Sequence, residues 1–578
     1  MNKQLQSGDI HTAHADFLDR VTRMTIGKAT GGMAPSTLWA AMADWAVHLG
    51  TAPGKQAALA EKALRAPGIV AARSLEPEVE LPVEDDRRFA SELWDTPPFC
   101  FMRDSFLLTE DWWQTATTDV RGMSPANEAA LSFAVRQALD TVSPTNFPHL
   151  NPEVLIRARQ TNGASVMQGL MNTVADVSAR VSRDPAPQPT PPDLTVGDGL
   201  AATPGKVVAR SHLAELIQYS PTTETVHPEP ILIVPAWIMK YYILDLSAHN
   251  SMVRWLVDQG YTVFMISWRN PGAEDRDLGM QDYLDQGPRM ALDAVETITG
   301  SRRIHGVGYC LGGTLMAIQA GTMRRDGDNR LASMTLLAAQ VDFSEPGEMA
   351  LFVSEAQVAL LEDLMAEQGY LDGNQMAGAF TMLRSNDLVW SRLIREKMMG
   401  ERAEPNDMMA WNADTTRMPF RMHSEYLRGL FLENRLSHGK YRIDGKTVSL
   451  SDLDVDICAV GTEKDHVAPW KSVYKIHHLT DADITFVLTN GGHNAGIISE
   501  PGHKRRHFRM ATTAHADRYL DHEAWLDVTP VQDGSWWEGW AEWLRDRSGT
   551  RVAPPPMGRP EAGYQVLGDA PGRYVHQM

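Results

Sequence analysis

The chain has 578 residues, enough for more than one domain and a large core. Its 43% apolar and 22% charged residues suit an ordinary globular protein. A net charge of -19 argues against nucleic acid as a main partner, because phosphate binding requires a basic surface.

Three cysteines, Cys100, Cys310 and Cys458, are too sparse for a disulfide framework and point to a reducing compartment. Met1 to Asp9 lacks the apolar core of a secretory signal. No uninterrupted apolar stretch approaches transmembrane length. The expectation is a cytoplasmic protein without a membrane span.

Residues 12 to 65 read as helices. Leu38, Met42, Trp45, Ala46 and Leu49 recur at helical spacing. Pro77 to Glu84 reads as an acidic exposed connector. Helical signals then continue to about Val181, with no strand-like run. This predicts an α-rich N-terminal domain over 1–185. The Pro-rich stretch from Asp184 to Pro192 marks a linker over 186–205.

Beyond it, short apolar runs alternate with helical ones. The runs are 216–219, 231–234, 262–267, 304–308, 334–337, 457–460 and 484–488. Continuous apolar strands imply burial on both faces, and alternation with helices implies a mostly parallel sheet with right-handed crossovers. Residues 206–578 therefore form a second, α/β domain. Within it, about 344–434 reads as helix without strands, an insertion suited to a cap over the C-terminal edge of the sheet. Near the end, Trp536, Trp540 and Trp543 share one helix face. Such a stripe serves either to dock a terminal helix or to contact a polymer surface.

The strand at 304–308 runs into Gly308-Tyr309-Cys310-Leu311-Gly312-Gly313, and a helix-compatible run follows. Strand, sharp glycine-flanked turn and helix are the context of a nucleophile elbow. The thiol would stand at a helix N-terminus, which favours thiolate. Asp465 and His493 each follow a late strand. The order nucleophile, acid, histidine is that of α/β-hydrolases. His493 would move protons and Asp465 would orient the imidazole. Glu463 and His466 beside Asp465 are competing positions, and Asp342, after the strand at 333–340, is an alternative acid. The backbone N–H of Leu311 and one from Trp237 or Ile238, with Ile238 favoured, would form an oxyanion hole. No metal-ligand spacing and no nucleotide fingerprint occurs, so no cofactor is expected.

Several stretches resemble the polyhydroxyalkanoate synthases, nearest to class I: Ser143 to Phe147, Pro221 to Val226, Lys240 to Leu246, Ser267 to Pro271, the elbow, Asp342 to Gly347, Trp411 to Asp414, Asp465 to Trp470, Gly491 to His493, Gly534 to Trp537 and Ala570 to Val575. Met239 and Trp237 depart from the family pattern beside the oxyanion loop. The resemblance implies an α/β-hydrolase fold with a cap. It also implies polymerisation of (R)-3-hydroxyacyl-CoA into polyester with release of CoA, through a thioester on Cys310 with His493 and Asp465. Short acyl chains, a homodimer and association with polyester granules and their proteins are further implications. A thioesterase or depolymerase on the same fold is the alternative, and a catalytically silent granule coat a third.

Overall fold

The computed structural model describes residues 22, 34–76, 81, 83, 86–181, 192–373, 375, 389–402 and 404–578. The expected helix start at 12–33, apart from residue 22, most of the acidic connector and the linker up to residue 191 lie outside these. The chain forms two compact units, one of Thr190–Met376 and Pro405–Met578, the other of Thr22–Pro189 and Ala377–Glu404.

In the helical unit the main elements are α1 (Pro35–Gly50), α2 (Pro53–Leu75), α3 (Phe99–Thr117), α4 (Pro125–Thr141), α5 (Pro152–Gln160) and α6 (Ala164–Val181). Proline at the first turn starts α1, α2, α4 and α5, where a missing N–H costs nothing. A small core gathers Phe89, Trp94, Phe106 and Leu107. Residues 389–402 belong here by contact. Asn172 on α6 donates to the Glu396 carbonyl at 2.8 Å, and Asp176 pairs with Lys397 and Arg402.

The other unit is built on one eleven-stranded sheet. Its strands are β1 (Gly205–Arg210), β2 (Ala214–Tyr219), β3 (Ile231–Val234), β4 (Val263–Trp268), β5 (Ile304–Tyr309), β6 (Leu331–Leu337), β7 (Ile457–Thr462), β8 (Ile484–Thr489), β9 (His507–Thr513), β10 (Gln532–Asp533) and β11 (Gly568–Asp569). The spatial order is β10-β9-β8-β7-β6-β5-β3-β4-β2-β1-β11. The six central strands β4-β3-β5-β6-β7-β8 run parallel, and the outer ones join antiparallel. Every residue of β3, β5, β7 and β8 is buried, as strands covered on both faces require. One large apolar core lies on each side of the sheet. The seven apolar runs all form strands.

Two features differ from the sequence reading. Strands β1, β9, β10 and β11 were not expected. The insertion is not free of strand, since Tyr370–Leu371 pairs with Met418–Pro419. Of the two roles open to the tryptophan stripe, the helix α8 (Trp536–Arg545), which follows α7 (Leu311–Asp326), takes the docked one and is buried. The Trp536 and Trp537 indoles donate to the Gly496 and Ile497 carbonyls at 3.1 and 2.9 Å, and Trp540 donates to Thr335 Oγ1 at 3.0 Å.

Candidate active site

Cys310 joins β5 to α7 with φ 52° and ψ -124°, a conformation strained for any residue but glycine. Its N–H donates to the Leu337 carbonyl at 2.9 Å, and its carbonyl accepts from Gly313 N–H at 2.9 Å. The glycines beside it answer to space. A Cβ on Gly308 would meet Gly313 N at 2.7 Å, and one on Gly312 would collide with the main chain of Val234 and Pro235. That close approach sets the first turn of α7 against the loop leaving β3. The first N–H groups of a helix lack intrahelical partners, so Leu311 N–H is available at this junction.

The loops after β7 and β8 are tied by their backbones. Glu463 N–H donates to Thr489 at 3.0 Å and Lys464 N–H to Gly491 at 2.9 Å. This brings Asp465 to His493, whose Nδ1 donates to Asp465 Oδ2 at 2.7 Å. Asp465 is fully engaged. Val467 and Ala468 N–H groups both reach Oδ1 at 2.8 Å, and Thr462 Oγ1 donates to Oδ2 at 3.2 Å. Burial opposes a charge on His493, but the Asp465 carboxylate and then Cys310, by charge and by hydrogen bonding, outweigh it. They hold the imidazole pKa well above its ordinary value. A thiol coupled to a carboxylate-backed imidazole can exchange its proton and attack an activated carbonyl.

The competing acids have other partners. Asp342 Oδ1 accepts from Ser344 N–H and Oγ at 2.8 and 2.5 Å and from Asn434 Nδ2 at 3.2 Å. Burial would raise its pKa, but the Ser344 bonds, the Lys475 charge and Asn434 lower it. Glu463 faces His507, at 3.5 Å. The His466 side chain is exposed.

Ile238 packs against the same apolar core as Cys310, which includes Leu311. Its loop is pinned by the insertion between β6 and β7. Thr416 N–H donates to the Ile238 carbonyl at 3.3 Å, Thr416 Oγ1 to the Trp237 carbonyl at 2.6 Å, and Met239 bridges Thr415.

Other residues at the site were not singled out from sequence. Tyr309 packs its ring tilted against that of His493, with centroids 5.7 Å apart, and donates to Asn494 Oδ1 at 2.6 Å. Their only sequence signal is adjacency to Cys310 and His493. Tyr426 ends the helix Phe420–Tyr426, in the insertion between β6 and β7. Burial foremost, then the nearby Cys310, push its pKa up. Its ring meets Trp237 at 6.3 Å and Phe431 at 5.2 Å. Arg506 clasps the His493 loop through the Asn490, Ala495 and Ile498 carbonyls.

Residues 85–256 match the family described as poly-beta-hydroxybutyrate polymerase (PhaC) N-terminus, residues 13–55 its N-terminal model, and residues 229–499 the alpha/beta hydrolase fold. The poly(3-hydroxyalkanoate) polymerase of Methylorubrum extorquens is 38% identical, over 86% of this chain and 82% of its own. The chain belongs to the poly(3-hydroxyalkanoate) polymerase family. The polymerase subunit PhaC of Rhizobium meliloti is 37% identical over 85% of this chain and 79% of its own. That of Cupriavidus necator is 34% identical over 85% and 83%. Within the residues matched to the alpha/beta hydrolase fold, Cys310 and the stretches carrying Asp465 and His493 fall at the C-terminal ends of β5, β7 and β8. Among the described residues no cluster of His, Cys, Asp or Glu could hold a metal ion, and no helix is long and apolar enough to cross a membrane.

Proposed function

We propose that the protein polymerises (R)-3-hydroxyacyl-CoA, of short chain such as 3-hydroxybutyryl-CoA, into polyester with release of CoA. The observation that carries this reading is the strained Cys310 at the start of α7, coupled to a His493 that Asp465 holds at 2.7 Å. The Cys310 proton passes to His493 as the sulfur attacks the thioester carbonyl. The oxyanion rests on the N–H groups of Leu311 and Ile238. The carbon–sulfur bond to CoA breaks, and the imidazolium returns the proton to the CoA thiolate.

One thioester replaces another, so the step is nearly balanced. The 3-hydroxyl of an incoming hydroxyacyl-CoA then gives its proton to His493 and attacks the acyl group on Cys310. An ester C–O bond forms, the bond to Cys310 breaks as His493 returns the proton to the Cys310 sulfur, and the chain is longer by one unit as a CoA thioester. That thioester re-acylates Cys310 and releases CoA. Asp465 orients the imidazole and balances its charge throughout. The aromatic wall of Tyr426, Phe431 and Trp237 excludes water, which favours an alcohol as acceptor. The family resemblance supports a cytoplasmic homodimer at polyester granules.

Incubation with (R)-3-hydroxybutyryl-CoA, following free CoA and insoluble polyester together, tests the reading. Coupled appearance of both is expected, and loss of both in Cys310→Ala. CoA release with only free hydroxy acid would make the protein a thioesterase.

A further inference from the structure

The loop leaving β3 is held from a second direction. Lys240, two residues past Ile238, is 3% exposed. Its ammonium donates to the main-chain carbonyls of Gln577 at 2.6 Å and Tyr574 at 3.4 Å. The Lys240 carbonyl accepts from the Trp411 indole at 2.7 Å. Gln577 reaches a second loop, the one after β4. Its Oε1 accepts from Asn270 N–H at 3.1 Å, and its carbonyl accepts from Asn270 Nδ2 at 3.5 Å. Asn270 Oδ1 in turn accepts from Arg417 N–H at 2.8 Å, next to the Thr416 that pins Ile238 and Trp237. Residues 573–577 are themselves anchored. Arg573 and Tyr574 N–H groups donate to the buried Glu215 Oε2 at 2.8 and 3.0 Å, Tyr574 OH donates to Ser211 at 2.8 Å, and Val575 is buried.

We propose that Arg573–Gln577 is a latch, and that Lys240 is the positioning residue through which it sets the loop carrying the Ile238 N–H. A buried ammonium needs its acceptors, so the loop follows the segment that supplies them. The triad takes no part in this chain of bonds, since Cys310, Asp465 and His493 hang on β5, β7 and β8. The Ile238 half of the oxyanion hole and the activation of the thiol are therefore held by separate supports, while the Leu311 half stays with the elbow.

This rests on the polymerase reading of the site. The test uses the full chain and compares two rates, CoA release from saturating (R)-3-hydroxybutyryl-CoA and alkylation of Cys310 by iodoacetamide. Alkylation reads the thiol and His493 and makes no oxyanion. Lys240→Met should lower kcat by about 10- to 100-fold, the scale of a misplacement near 1 Å, with alkylation within about twofold of the parent. Lys240→Arg, which keeps a donor, should recover much of the loss. Gln577→Ala keeps the carbonyls, removes only the Asn270 N–H contact, and should lower kcat by about fivefold. Unchanged kcat in both Lys240→Met and Gln577→Ala overturns the latch, as does a parallel fall in alkylation, which marks a general structural role. A parent protein that releases no CoA, or a Cys310→Ala variant that still does, fails the polymerase reading instead.

Discussion

The Trp536 indole N–H meets the Gly496 carbonyl at 3.1 Å, three residues past His493. The helix α8 therefore braces the loop that carries the histidine, together with Trp537 on Ile497, Ser535 on Ser499, and Arg506. Trp536→Phe keeps an aromatic ring but removes the indole N–H and part of the buried volume, leaving a buried carbonyl unpaired. It should lower stability by about 1–3 kcal/mol in urea unfolding and lower CoA release more than a substitution on the exposed face of α8.

The two carboxylates that compete for the acid role separate by mutation. Asp465→Asn leaves His493 without its charge partner and should lower CoA release by about 10³–10⁴-fold. Asp342→Asn weakens a turn held by Ser344 and Asn434 and should lower stability by about 1–2 kcal/mol with a much smaller loss of rate. Steady-state rates and urea midpoints of both variants decide it.

At the elbow, Gly312→Ala would drive a methyl group into the backbone of Val234 and Pro235. A main-chain neighbour cannot rotate away, so a destabilisation of about 1–3 kcal/mol or more is expected. Gly68, inside α2, has nothing within 4 Å of its absent Cβ. Gly68→Ala should be neutral or stabilise by up to about 1 kcal/mol, as read by urea unfolding.

Two buried histidines set an acid limit. Burial lowers the pKa of His423 to about 4, and that of His305 to about 3. A depressed pKa means that the folded state binds fewer protons than the unfolded chain. The stability these groups contribute is present above about pH 6.5 and is lost as pH falls toward 4 and then 3. Urea midpoints between pH 7 and pH 4 should fall, and His423→Leu should flatten the slope. An equal slope in the variant would assign the acid lability elsewhere.

What the sequence could show follows from where information resides. Strands β3, β5, β7 and β8 were legible because burial on both faces demands unbroken apolar runs such as Ile231 to Val234. Strand β9 was not, because His507–Thr513 is mostly half-buried and mixes His, Arg and Thr with Phe508. Strand β1 opens Gly-Lys and sits near the sheet edge, and the two-residue strands carry no pattern at all. Cys310, Asp465 and His493 each stand where a strand ends in a turn, which sequence records. Tyr426 and Lys240 act through partners more than a hundred residues away, and Arg506 through carbonyls 8 to 16 residues before it, and no local spacing marks them. The stripe of Trp536, Trp540 and Trp543 was visible, but periodicity alone does not say whether a stripe faces core or surface.

Acylation of Cys310 is the step on which all the proposed chemistry depends. The direct measurement is peptide mass mapping of the protein quenched soon after mixing with (R)-3-hydroxybutyryl-CoA. A hydroxybutyryl group, or a short oligomer of it, is predicted on the peptide containing Cys310, released by neutral hydroxylamine and absent in Cys310→Ala. Continued CoA release by Cys310→Ala, or acyl label on another residue in its place, would contradict it.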